Sequence, residues 1–105
     1  MIIETIICTK NSQGIINFAP FGIKKNKNHI LISPYIPSTT LNNLKETGNA
    51  SINYVDDATF FVNCILGKKN FEKKKCSKIN SYFLKDALAH DEVVVESIEE
   101  NKVRP

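Results

Sequence analysis

Three cysteines (Cys8, Cys64, Cys76) and two histidines (His29, His90) are all that 105 residues offer of the side chains from which most metal and redox-thiol sites are built. The cysteines are odd in number and widely separated, so no familiar zinc-ligand spacing exists; reduced thiols and no metal are expected. Cys8 falls in a strand pattern and Cys64 in an apolar stretch, as small buried residues do. Cys76 stands among lysines, a setting that can lower a thiol pKa, although an inert thiol is the expectation there too. No apolar run is long enough to cross a bilayer as a helix. Residues 1–7 are apolar but carry Glu4 and no basic leader, which reads as a first strand and not as a signal peptide, so the cytoplasm is the default compartment. There is also no nucleophile elbow and no close acid–base pair, so no catalytic residue is assigned.

What is present is ordinary globular chemistry, 42% hydrophobic and 24% charged, in a chain of the length of one small domain spanning 1–105. Strands are expected near 2–9, 15–23, 29–33, 50–54 and 92–99, the first three as a meander joined by turns at 10–14 and 24–28. Asp56 or Asp57 caps a second helix over 57–66 that stops at Gly67, with Ala58, Phe61 and Ile65 as its apolar face. A third helical stretch is expected over 81–89. The fold class is therefore mainly β with short helices, of α+β type.

One run concentrates the positive charge. Residues 68–78 hold six of the 14 basic residues and one of the 11 acids, which leaves the remainder of the chain net acidic. A basic loop with one aromatic, Phe71, can touch nucleic acid through phosphate contacts. Without arginine and with a single stacking ring, it reads as a solvated surface loop, and nucleic acid is not the expected partner.

The chemistry-bearing segments lie earlier. Pro37 forces an extended approach to a short helix over 38–48, with Ser38 as N-cap, Leu41 and Leu44 three apart, and Gly48 as its stop. The free first-turn N–H groups and the hydroxyls of Ser38, Thr39 and Thr40 converge on one small volume, which suits a phosphate. Most Ser-Thr-rich helix starts only cap their own helix, so the preceding strand matters. There Pro20 removes a ladder donor and Gly22 a side chain, which marks a strand edge or bulge. A flat ring can lie against the backbone beside Ala19 and Gly22, its polar rim read by unpaired N–H and C=O groups. A plain edge strand protected by its proline is the competing reading.

The order Thr9, Gly14, Asn17-x-Ala19-Pro20-x-Gly22, Pro34-Tyr35, Ser38-x-Thr40-x-x-Asn43-Leu44, Gly48, Asn53-x-x-Asp56-Asp57 and Phe60 resembles the DUF447 family. These are flavin-binding split β-barrel proteins best represented in archaea and some one-carbon-metabolising bacteria. The resemblance implies a six-stranded split barrel, a homodimer, and FMN near the subunit interface. It places Ser38, Thr40 and Asn43 around the phosphate, where the helix start also puts Thr39, with Asn17, Ala19, Pro20, Phe21 and Gly22 along the isoalloxazine. Asn53 and Asp57 match family positions with a supporting role. The chain departs from the pattern at Ser33, where family members often carry a basic residue, and Lys24 or Lys25 is the substitute at hand.

Family members are also longer, and a strand over 91–99 followed by a turn at 100–102 has no partner left in the sequence. A truncated barrel is therefore expected, because barrel edges need closure. Three functional readings stay open: an FMN-dependent oxidoreductase with an unidentified small-molecule electron donor and acceptor, a flavin-binding protein without catalysis, and a basic interaction module on the same scaffold. If FMN binds, redox chemistry belongs to the flavin.

Overall fold

Alternation of apolar and polar residues builds a sheet with two occupied faces, described by a computed structural model for residues 2–33, 38–68 and 70–98. The strands β1 (Ile3–Lys10), β2 (Ile16–Lys25) and β3 (Ile30–Ile32) form the expected meander. Helix α1 (Thr39–Thr47) crosses to β4 (Asn49–Tyr54), and α2 (Ala58–Ile65) follows. The strands β5 (Lys73–Lys75) and β6 (Tyr82–Leu84) form a small hairpin before β7 (Ala89–Val94). The main sheet is antiparallel throughout, in the order β3-β2-β1-β4-β7.

Local chemistry explains the turns. Asn11 Oδ1 accepts from the N–H groups of Gln13 and Ile15, both at 2.9 Å, and Gly14 takes φ 85°, a conformation that costs glycine little. Ser38 caps α1 as expected, its hydroxyl accepting from Leu41 N–H at 3.0 Å, while Gly48 ends the helix at φ 74° with its N–H on Leu44 C=O. Asp57, not Asp56, caps α2 by accepting from Thr59 N–H at 2.9 Å, which holds its carboxyl below the usual range.

The two faces carry separate cores. Ile7, Ile23, Ala50, Ile52 and Leu44 of α1 pack on one; Ile6, Cys8, Phe18, Cys64 of α2 and Leu84 of β6 pack on the other. Ile52 is fully buried and Leu31 is 59% exposed. Ile52→Ala is therefore expected to cost about 2–5 kcal/mol, while Leu31→Ala stays within about 0.5 kcal/mol in urea denaturation.

The sheet is curled. With strands about 4.8 Å apart, β2 and β7 would lie roughly 14 Å from each other in a flat sheet, since two strands intervene. Yet Lys25 at the end of β2 meets Asp91 of β7 at 2.9 Å, and Tyr54 donates to the same carboxylate at 2.6 Å. His29 and Glu96 also meet across the gap, at 2.8 Å. Lys25, Tyr54 and Asp91 lie on the face of Ile23 and Ile52, so that face is the concave one and the edges approach around it.

Several expectations need correction. Residues 81–89 form no helix: Tyr82–Leu84 is a strand, and a turn follows. Aromatic and branched residues there favour a pleated surface, and their partner is the three-lysine strand inside the run read as a loop. The last strand begins three residues earlier than expected and pairs with β4 along six residue pairs, while among the described residues no strand pairs with its other edge. On α2, Phe60, Phe61 and Cys64 face the sheet, whereas Ile65 is 78% exposed. The described residues hold seven strands against the six the resemblance implied, five in the main sheet and two in the hairpin. The turn expected at 100–102 lies outside the described residues.

Candidate functional site

Strand alternation sorts the predicted site residues by face. Asn17, Ala19 and Phe21 oppose Thr9, Ile7 and Thr5, so they point to the concave side where α1 packs. Pro20 and Gly22 oppose Ile6 and Glu4 and point to the convex side. At Gly22 a Cβ would come within 2.6 Å of Ile2 Cγ2, so close cover by that side chain occupies the place of the missing one. Beyond Ile23–Lys25, β3 no longer accompanies β2. Among the described residues the outer edge of β2 from Asn17 to Gly22 pairs with no strand, as the proline suggested.

α1 brings the second half of the site to the same face. Thr40, Leu41, Asn43 and Leu44 are its buried residues, and Thr39 is exposed. Asn43 Nδ2 donates to Thr9 Oγ1 at 3.0 Å, fully inside the protein, so this residue ties the helix to β1. At the other end Glu46 accepts from the N–H and hydroxyl of Ser12, at 2.9 and 2.8 Å. These two anchors fix the axis of α1 over the hairpin. Its first turn contains no acid. There the Ser38 hydroxyl already accepts one hydrogen bond but keeps its proton to donate. The backbone N–H groups of Thr39 and Thr40 are orphans of a helix start by construction. The donor set therefore fits a phosphate, and the unpaired edge of β2 fits the polar rim of a flat ring.

The proposed substitute cations differ. Lys25 is committed to Asp91 and lies 4.8 Å from the Tyr54 ring centre, a setting that pushes its pKa up to about 12, chiefly through the Asp91 hydrogen bond. Lys24 is exposed. Pro34, Tyr35 and Pro37, part of the motif, lie outside the described residues.

Asn53 and Ser51 hold the architecture together from the convex face. Asn53 Nδ2 donates to Ile6 C=O at 3.0 Å and to Ser51 Oγ at 3.1 Å, while its Oδ1 accepts from Leu84 N–H at 2.8 Å. Ser51 donates to Tyr82 C=O at 2.6 Å. Asn53 and the Asp57 cap are thus supporting residues, which agrees with their expected role.

Burial keeps the thiols of Cys8 and Cys76 protonated in the free chain. Burial pushes Cys8 up to about 11 and Cys76 up to about 12, so the lysines around Cys76 do not activate it; Glu92 beside it raises it further. All three cysteines are buried, and none is in a disulfide. Iodoacetamide at neutral pH is expected to leave the native chain unlabelled and to modify three thiols after denaturation, as mass spectrometry would count.

Sequence reasoning missed one cluster. Cys76, His90 and Glu92 bring a thiol, an imidazole nitrogen and a carboxylate oxygen within 4.8 Å of one another on the convex side. His90 and Glu92 are two apart on β7 and share a face, a signal hidden because the strand was expected to start only at Glu92.

Three of the solved structures that share this fold illustrate the likeness. A 2-nitrobenzoate 2-nitroreductase of Pseudomonas fluorescens matches with TM-score 0.75 and 22% identity over 85% of this chain and 51% of its own. Component B of nitrilotriacetate monooxygenase from Bacillus cereus matches with TM-score 0.75 and 16% identity over 97% of this chain and 62% of its own. An FMN-bound protein of Methanosarcina mazei, assigned to DUF447, matches with TM-score 0.68 and 22% identity over 98% of this chain and 68% of its own. The chain thus spans between half and about two thirds of the length of these proteins, and at such identities the likeness is one of fold, the split barrel. Among curated proteins no match is found. The model of the DUF447 N-terminal domain, a protein family of unknown function, matches residues 3–105, and the chain belongs to that family.

Proposed function

We propose that this chain binds FMN, with the phosphate at the first turn of α1 and the isoalloxazine along the free edge of β2. The observation that carries the reading is the acid-free start of α1, where the Ser38 hydroxyl and the free first-turn N–H groups stand at the head of a helix whose Leu44 packs on the concave face that also bears Asn17, Ala19 and Phe21. Likeness across 98% of the chain to an FMN-bound protein of the same family supports it.

Within this reading Ser38 and Thr39 donate hydroxyl protons to the phosphate, and the N–H groups of Thr39 and Thr40 complete the cradle. Thr40 and Asn43 act mainly from beneath, since both are buried and Asn43 is held by Thr9. Along β2, Pro20 keeps the edge from being capped by another strand, and the neighbouring carbonyl and N–H groups orient the ring's polar rim. Bound flavin supplies hydride or electron transfer, while the protein supplies orientation and electrostatics. An oxidoreductase role with a small-molecule donor and acceptor extends the reading, and so does a homodimer. Val62, Ile65 and Leu66 form an exposed apolar end of α2 that a second copy would cover.

The test is an absorbance spectrum of the purified chain after FMN is added and excess removed by gel filtration. A retained flavin band at dimer size is expected; a colourless protein, both as this chain and in a longer version, would overturn the flavin reading. Reduction of the bound flavin by a nicotinamide cofactor separates an oxidoreductase from a binding protein.

A further inference from the structure

We infer that Cys76, His90 and Glu92 form a binding site for one divalent d-block cation, Zn²⁺ by donor preference, on the convex face and away from the flavin cradle. The argument begins with separation. Three donor atoms within 4.8 Å of one another leave a central point no more than about 2.8 Å from each, against metal–ligand bonds of about 2.0–2.3 Å for nitrogen, oxygen and sulfur on zinc. His90 Nε2 and Glu92 Oε2 are already 2.9 Å apart, about the spacing of two ligands on one ion. Closing the triangle takes side-chain adjustments of less than an ångström or so, with no backbone rearrangement.

Each ligand is also held by its surroundings, which is what separates a built site from a chance cluster. The His90 ring stacks on Phe83 at 3.8 Å between centroids and 7° between planes, so its orientation is fixed. Glu92 accepts from the N–H groups of Ser77, Lys78 and Ile79 at 3.2, 2.6 and 3.2 Å, a backbone cradle that aims the carboxylate. Cys76 closes the same turn by donating its N–H to Ser81 C=O at 2.9 Å. Two ligands stand on one face of a paired strand and the third at the end of a hairpin strand, so all three ride on hydrogen-bonded elements. A cleft lined by Lys78, His90, Asp91 and Glu92 opens onto two of the three ligands and gives an ion an entry path.

The charges balance. The cation takes the Cys76 thiolate and the Glu92 carboxylate, and the imidazole binds as a neutral ligand through Nε2 with its proton on Nδ1. The thiol proton leaves to solvent and no electrons move. Without the ion, the thiol and the imidazole both turn to the Glu92 carboxylate, and the metal replaces those hydrogen bonds. A mixed sulfur, nitrogen and oxygen set suits Zn²⁺ and excludes Mg²⁺ and Ca²⁺, which want oxygen ligands.

The experiment is a titration of chelator-treated, flavin-free full chain with Co²⁺, followed by displacement with Zn²⁺. One equivalent per chain is expected, with a thiolate-to-cobalt charge-transfer band that Zn²⁺ abolishes. Cys76→Ser should remove that band and weaken binding by more than about 100-fold, beyond the loss typical of outer-shell partners, while Cys64→Ser keeps both. Failure of the unmutated chain to develop the band, or a band that survives in Cys76→Ser, would overturn the site. Because no flavin is present, neither outcome bears on the FMN reading.

Discussion

Ser38→Asp should abolish FMN retention while leaving α1 as stable as before. Aspartate is as good an N-cap as serine, so it accepts the Leu41 N–H bond now made at 3.0 Å, and the positive end of the helix welcomes its charge. The same carboxylate would stand within about 4 Å of a bound phosphate, where like-charge repulsion near a protein surface amounts to about 4 kcal/mol, roughly a thousand-fold in Kd. Ser38→Ala gives a smaller and less clean result: it removes one hydrogen bond to the phosphate but also the cap, itself worth about 1 kcal/mol. Flavin fluorescence titration and a thermal melt, run on each variant, separate affinity from folding. Unchanged FMN affinity in Ser38→Asp would remove the first turn of α1 from the phosphate site.

Asn53→Ala is expected to be among the most destabilising single changes outside the apolar core, at about 3–5 kcal/mol. Its amide is buried and bridges three strands, donating to Ile6 C=O and accepting from Leu84 N–H. Truncation leaves the Leu84 N–H buried without a partner, at a cost of about 1–3 kcal/mol, and adds an unfilled volume. For a small domain stable by about 5–15 kcal/mol the sum is a large fraction. The β5–β6 hairpin, which meets β4 through Asn53 and Ser51, should lose protection first in hydrogen exchange. Asn53→Asp should be no milder. It keeps an acceptor toward Leu84 but turns an oxygen toward Ile6 C=O and buries a charge. A urea midpoint unchanged by either variant would show that apolar contacts alone dock the hairpin.

The legible parts of this chain were those governed by neighbours in sequence. Asn11 and Gly14 define the first hairpin, and Ser38 and Gly48 bracket α1 within a residue of where they were expected. Pro20 announced an edge. The illegible parts depended on partners far away. Lys73, Lys74 and Lys75 have poor strand propensity and become a strand only because Tyr82, Phe83 and Leu84 lie opposite. The residues after Ser81 carried an apolar pattern too short to distinguish strand from helix, and the hairpin decided it. Nor could the order of residues say that Ile65 faces outward, since that depends on how α2 lies over the sheet.

By itself the sequence determined the strand–turn–strand start and the two capped helices, because hydrogen bonds and dihedral preferences act over a few residues, and it supplied the family resemblance and the residue types of the proposed phosphate cradle. Only the tertiary structure decided that Asn17, Ala19 and Phe21 share a face with α1 while Pro20 and Gly22 do not. It also decided that the sheet curls until Lys25 reaches Asp91, and that Cys76 meets His90 and Glu92. Those juxtapositions follow from strand register and curvature, which are set by the packing of the whole chain and not by the spacing of any motif within it.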